Sequence, residues 1–86
     1  MEKNWSIALE HNEYETDRSL VINDAIDAVK QTANGCYVNI VTPAAFGNPD
    51  DYLTEELKQA FGNEIDVKFI DQCGCGGYVL RVWKNN

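Results

Sequence analysis

The sequence predicts an α+β two-layer sandwich of the α/β class, built in the order β-α-β-α-β-β with two helices on one face of a four-stranded mixed sheet. Three observations predict it. Four short stretches alternate apolar and polar residues, at 5–10, 36–42, 64–70 and 78–84. Two longer stretches, near 17–35 and 48–62, carry apolar residues at helical spacing between start and stop signals. The last two strands are separated only by a short glycine-rich run. Strands joined through a helix run parallel with a right-handed crossover, whereas strands joined by a short glycine turn run antiparallel.

Each element has its own warrant. In "WSIALE", Trp5, Ile7 and Leu9 share one face and Ser6, Ala8 and Glu10 the other. "HNEYETD" reads as a polar loop, and Thr16 or Asp17 offers the next helix its N-cap. "RSLVINDAIDAVKQTAN" then places Val21, Ala25, Ile26, Val29 and Ala33 along one stripe, flanked by Leu20 and Ile22. Asn34-Gly35 predicts its end, with Gly35 in the left-handed C′ position. In "CYVNIVT", Cys36, Val38 and Ile40 face one way and Tyr37, Asn39 and Val41 the other. "PAAFGN" reads as a loop. Asn48-Pro49-Asp50-Asp51 joins a cap residue, a proline at the first helical position and two acids at the positive end of the helix dipole. Leu53, Leu57, Ala60 and Phe61 form the expected buried stripe, and Gly62 stops the helix. "EIDVKFI" turns Ile65, Val67 and Phe69 inward and Asp66 and Lys68 outward, and "YVLRVWK" is the last strand.

The same element order occurs in the small sulfur-carrier proteins of tRNA thiolation. That likeness of topology implies the strand order 1-2-4-3. The outer face would carry Ser6, Ala8, Glu10, Asp66 and Lys68, with Tyr37 and Trp83 able to cluster there as a dimer surface. The expectation is a monomer or weak dimer. Loops that follow parallel strands gather at one edge of an open sheet. His11, Thr42, Phe46, Asn48, Cys73 and Cys75 should therefore share one end. Cys36 should lie at the other end, about 20 Å away along a six-residue strand, as a small buried hydrophobe.

Composition narrows the function. Eighty-six residues make one domain, 1–86. The hydrophobic content of 44% suits a packed core and not a disordered chain. The net charge of −7 repels phosphate backbones, so nucleic acid is not an expected partner. No apolar run approaches the roughly 20 residues of a membrane span. "MEKNWSIALE" lacks the pattern of a signal peptide, so a cytoplasmic location is expected. Three cysteines are too few for a secreted disulfide framework.

Two of those three cysteines and three of the six glycines fall in Cys73-Gly74-Cys75-Gly76-Gly77. A tight turn needs glycine but not two thiols. Cys73 and Cys75, with His11, supply at most three metal ligands, one fewer than a closed zinc site holds. No resident cofactor is expected beyond a metal on those thiols. Cysteines two apart on a glycine backbone can approach disulfide distance in a strained, easily reduced ring. The run could equally be the substrate of another enzyme, because glycine lets a large catalyst approach the backbone closely. Physical chemistry alone leaves a redox pair and a modified substrate both open. No catalytic triad, paired catalytic carboxylates or phosphate loop is present, so no independent enzymatic activity is expected.

The run and its context resemble a known family. "WSxALE" at 5–10, "LVIxDAxxAV" at 20–29, "VNIVT" at 38–42, Tyr52-Leu53 and "DQCGCGGYVxRV" at 71–82, with x for positions that do not carry the likeness, are similar to the CGCGG family of ribosomally made, post-translationally modified (RiPP) precursors. The resemblance covers nearly the whole chain. It implies that the protein is the substrate of a radical SAM maturase, with the modified residues within Cys73–Gly77. A small thiol redox protein, or a sulfur or metal carrier using Cys73 and Cys75, is the alternative.

Overall fold

The computed structural model describes residues 3–9, 12–72 and 77–85. The strands are β1 (Trp5–Ala8), β2 (Tyr37–Thr42), β3 (Ile65–Gln72) and β4 (Tyr78–Lys84). The helices are α1 (Arg18–Gln31) and α2 (Leu53–Phe61). Together they run in the predicted order, and the sheet order is β1-β2-β4-β3. β1 pairs parallel with β2, while β4 is antiparallel to both β2 and β3. Three strands therefore point one way and the last points back between two of them.

One core explains the two layers. Val21, Ala25, Ala28 and Val29 of α1 and Leu53 and Leu57 of α2 are buried with Val38, Ile40, Leu80 and Val82 of the sheet. Both helices thus cover the same sheet face. Complete burial of one such aliphatic side chain contributes about 1.5–3 kcal/mol. Leu9 closes one side of the core, its N–H donating to the Val41 carbonyl at 2.8 Å. Among the described residues, no helix is long and apolar enough to cross a membrane.

Helix ends depart from the sequence pattern for local reasons. Asp17 is the N-cap of α1, its carboxylate accepting the Leu20 N–H at 3.1 Å. At the other end α1 stops at Gln31, three residues before the expected Asn34. Thr32 turns extended there, donates its hydroxyl to the Ala28 carbonyl at 2.9 Å and accepts the Trp5 indole N–H at 2.9 Å. This latch buries Thr32 and ties the helix end to β1. Gly35 is consequently not the helix C′ residue. With φ of +82° it serves the turn in which the Cys36 N–H reaches the Ala33 carbonyl at 3.1 Å.

The start signal at Asn48 makes a 3₁₀ turn, Pro49–Asp51, and not the first turn of α2. Asn48 still caps it, Oδ1 accepting the Asp50 N–H at 2.9 Å. Tyr52 interrupts with φ of −131° before α2 begins. Ala60 is exposed, not buried. The stripe of α2 runs Leu53, Leu57, Phe61, and Ala60 lies about 60° around the helix from Leu57. Gly62 ends α2 as expected, at φ of +61°. Two stretches read as loops also contain 3₁₀ turns, Asn12–Glu15 and Ala44–Phe46. β3 carries a bulge between Phe69 and Asp71 that leaves Ile70 exposed.

The cap and the core give separable stability effects. Asp17→Ala should lower unfolding free energy by about 1 kcal/mol, and Leu57→Ala by about 2–5 kcal/mol. Urea titration at neutral pH measures both. Equal losses would show that the cap or the core has been misassigned.

Candidate functional site

The glycine-cysteine run is defined by its frame. Cys73, Gly74, Cys75, Gly76 and His11 lie outside the described residues. Gln72 pairs with Tyr78 across β3 and β4, which leaves a five-residue connection, 73–77. Gly77 is described, and it is buried. Thr42 pairs with Tyr78 from the other side, so β2, β4 and β3 together form the base of the connection. The Thr42 hydroxyl donates to the Tyr78 carbonyl at 3.2 Å, and the Tyr78 ring lies 5.9 Å from that of Phe69. Packing and hydrogen bonding therefore fix both strands where the run begins and ends.

The other expected members of this end divide. Thr42 is fully buried in the base. Phe46 packs edge-on against Tyr52 at 6.2 Å between ring centres. Asn48 spends its side chain on the Pro49 turn, which itself packs against β3 and β4. Cys36 sits at the opposite end, where its carbonyl accepts the Lys84 N–H at 2.8 Å. Six residues of strand put it about 20 Å from Thr42, as expected. It is only half-buried, because it belongs to the turn before β2 and not to the sheet interior. Among the described residues, no three His, Cys, Asp or Glu side chains are grouped to hold a metal ion.

Two residues were given no role from the sequence, Tyr52 and Arg81. Tyr52 stands beside Thr42 with the Arg18 guanidinium 5.7 Å from its ring centre. Its hydroxyl is buried and makes no hydrogen bond among the described residues. Thr42 lies close to that hydroxyl but spends its own proton on the Tyr78 carbonyl. Burial raises the Tyr52 phenol pKa, and Thr42 and Arg18 offset only part of this. The second residue is on the outer sheet face. Tyr37 and Trp83 do cluster there, at 6.3 Å and edge-on. Arg81 lies on the same face, 4.2 Å from the Tyr37 ring centre and 5.8 Å from that of Trp83. Its Nε donates to Asn39 Oδ1 at 2.7 Å, and Asn39 Nδ2 in turn donates to Ser6 Oγ at 3.4 Å.

The phenols set an alkaline limit. Tyr14 donates to Asp24 at 2.7 Å, and this bond to a carboxylate raises its pKa above the ordinary 10.0. For Tyr14 and Tyr52 alike, the folded pKa exceeds the unfolded one. Their stabilisation is complete below the unfolded value and is lost as pH rises through the folded one. The urea midpoint should therefore fall above pH about 10, and less steeply in Tyr52→Phe. At neutral pH, Tyr52→Phe should cost no more than about 0.5 kcal/mol, since it removes a buried hydroxyl that has no described partner. A loss above about 1 kcal/mol would reveal a partner among residues outside the described set.

The family model described as "Putative radical SAM target protein" matches residues 1–85. No curated protein and no solved structure matches the chain. The match takes in both helices, all four strands and the glycine-cysteine run. The chain belongs to this family.

Proposed function

We propose that this protein is a small folded RiPP precursor whose Cys73-Gly74-Cys75-Gly76-Gly77 hairpin is covalently modified by a radical SAM enzyme. The family match over residues 1–85 carries the reading. The frame around the run supports it. The Gln72–Tyr78 pair confines the connection to five residues, and the Thr42 bond holds its base. A rigid frame offers a partner the same approach each time. Three glycines in the run leave the backbone open to that approach. The two thiols are the most reactive side chains of the run, and a reducing cytoplasm would keep them free for the enzyme. We read residues 1–86 as one domain, with the chemistry supplied by the partner.

Mass spectrometry of the protein from its native host tests this. Trypsin cuts after Lys68 and Arg81 and releases "FIDQCGCGGYVLR" with both cysteines on one fragment. A mass change that survives thiol reductant is expected. Cys73→Ser and Cys75→Ser should each abolish it while leaving the urea midpoint unchanged. A change reversed by reductant would assign a disulfide and a redox role. An unchanged mass with two alkylatable thiols would overturn the modification.

A further inference from the structure

Most of the acidic residues lie in the helical part of the chain. Ten of the fourteen acidic residues lie between Glu13 and Glu64, in or beside the helical segments. The outer face of the sheet is different. Among its described side chains the charged groups are Asp66, Lys68 and Arg81. Asp66 is engaged by the Asn85 side-chain amide at 2.9 Å. Lys68 is exposed and stands directly opposite Arg81 in the β3–β4 register. Among the described side chains of this face, two cations, Lys68 and Arg81, stand against one acid that is already engaged, and Tyr37 and Trp83 meet on the same face.

The arginine is prepared for contact. Its guanidinium lies near the Tyr37 ring and its Nε is held by Asn39, so its fork is oriented in advance. A preorganised arginine flanked by aromatic rings is the composition of interface anchors. Fixing it beforehand lowers the entropy cost of binding.

Area distinguishes the occupants. Four strands about 4.8 Å apart and about five residues deep present roughly 300–400 Å². A stable interface wants about 800 Å² from each partner. A second copy of the chain on this face alone would be held too weakly for a stable dimer. An enzyme that must release its product needs only a transient contact. The net charge argues against a phosphate backbone as the occupant. Position completes the argument. Arg81 is three residues along β4 from Tyr78, about 10 Å, so a protein seated on Arg81 is within reach of residues 73–77.

We propose that the outer sheet face, centred on Arg81 between Tyr37 and Trp83, is the surface on which the modifying radical SAM enzyme docks, through a patch of that enzyme that carries carboxylates beside apolar or aromatic groups. This rests on the modification reading above. Docking through β4 registers the hairpin against the enzyme.

The test is the rate at which intact mass changes after induced expression in the native host. Intact mass is used because substitution at Arg81 removes a tryptic site. Arg81→Glu and Lys68→Glu should each slow modification by roughly tenfold or more, the loss expected of an interface anchor. Arg81→Lys should retain part of the rate, since it keeps the charge but not the fork. Glu55→Lys, on α2, should modify at the wild-type rate. Urea midpoints identify any variant that is merely unfolded, and the exposed Lys68 provides the variant least able to disturb the core. Wild-type rates in both Arg81→Glu and Lys68→Glu would overturn the docking face while leaving the modification intact. No mass change in the wild type would overturn both. A stable dimer in sedimentation of the chain alone, abolished by Lys68→Glu, would assign the face to a second copy and overturn the proposal.

Discussion

Insertion of the last strand between β2 and β3 is the constraint on which the rest of the structure depends. β4 supplies ladder partners to both neighbours and puts Leu80 and Val82 beneath the helices. Without it, the β1–β2 pair and β3 would be separate pieces with no shared ladder. Its pairing with β2 joins Tyr37 to Trp83 and Thr42 to Tyr78, residues far apart in the chain. Such contacts incur a loop-closure cost before they return any stability, which slows folding. The same strand begins at the hairpin base and continues through the Arg81 cluster. Core, base and outer face are consequently parts of one element.

Much of this was legible because β-alternation and helix capping are local. Val38 and Ile40 point into the core, and Asp66 and Lys68 point out, as their spacing requires. The Asp17 cap and the Gly62 stop follow from their own chemistry. What was not legible depended on partners distant in sequence. Thr32 ends α1 because Trp5, far away in the chain, offers it a hydrogen bond. Tyr52 breaks the turn from α2 while packed on Phe46. No local pattern encodes either contact. Ala60 was misplaced for another reason: near a helix end, two stripes at neighbouring angles both fit the apolar residues.

The candidate site shows the same division. That residues after parallel strands gather at one end follows from topology, and Thr42 and Phe46 lie there. Tyr78 was read as the start of a strand and as part of the motif, but not as the residue whose backbone links all three strands at the base. The glycine-cysteine run was legible as a motif but not as a chemistry. Two thiols on a glycine backbone suit modification and redox exchange alike, and only a partner separates these. The fold assigns the labour clearly in one respect. Strands and helices carry the stability, and the proposed chemistry falls on a short connection between two of the strands.

The bulge at Ile70 bears on how such a protein stays dispersed. β3 is an outer strand, and an outer strand offers unpaired N–H and C=O groups to any passing chain. A regular, eight-residue edge beside a glycine-rich hairpin would be a template for stacking copies into a continuous cross-β ribbon. The extra residue between Phe69 and Asp71 breaks the ladder's repeat and increases the local twist. The opposite edge is limited differently, because β1 is only four residues long. Both borders of the sheet are thus poor templates for strand addition, and the base of the β3–β4 connection can be held at one end without recruiting further copies edge to edge.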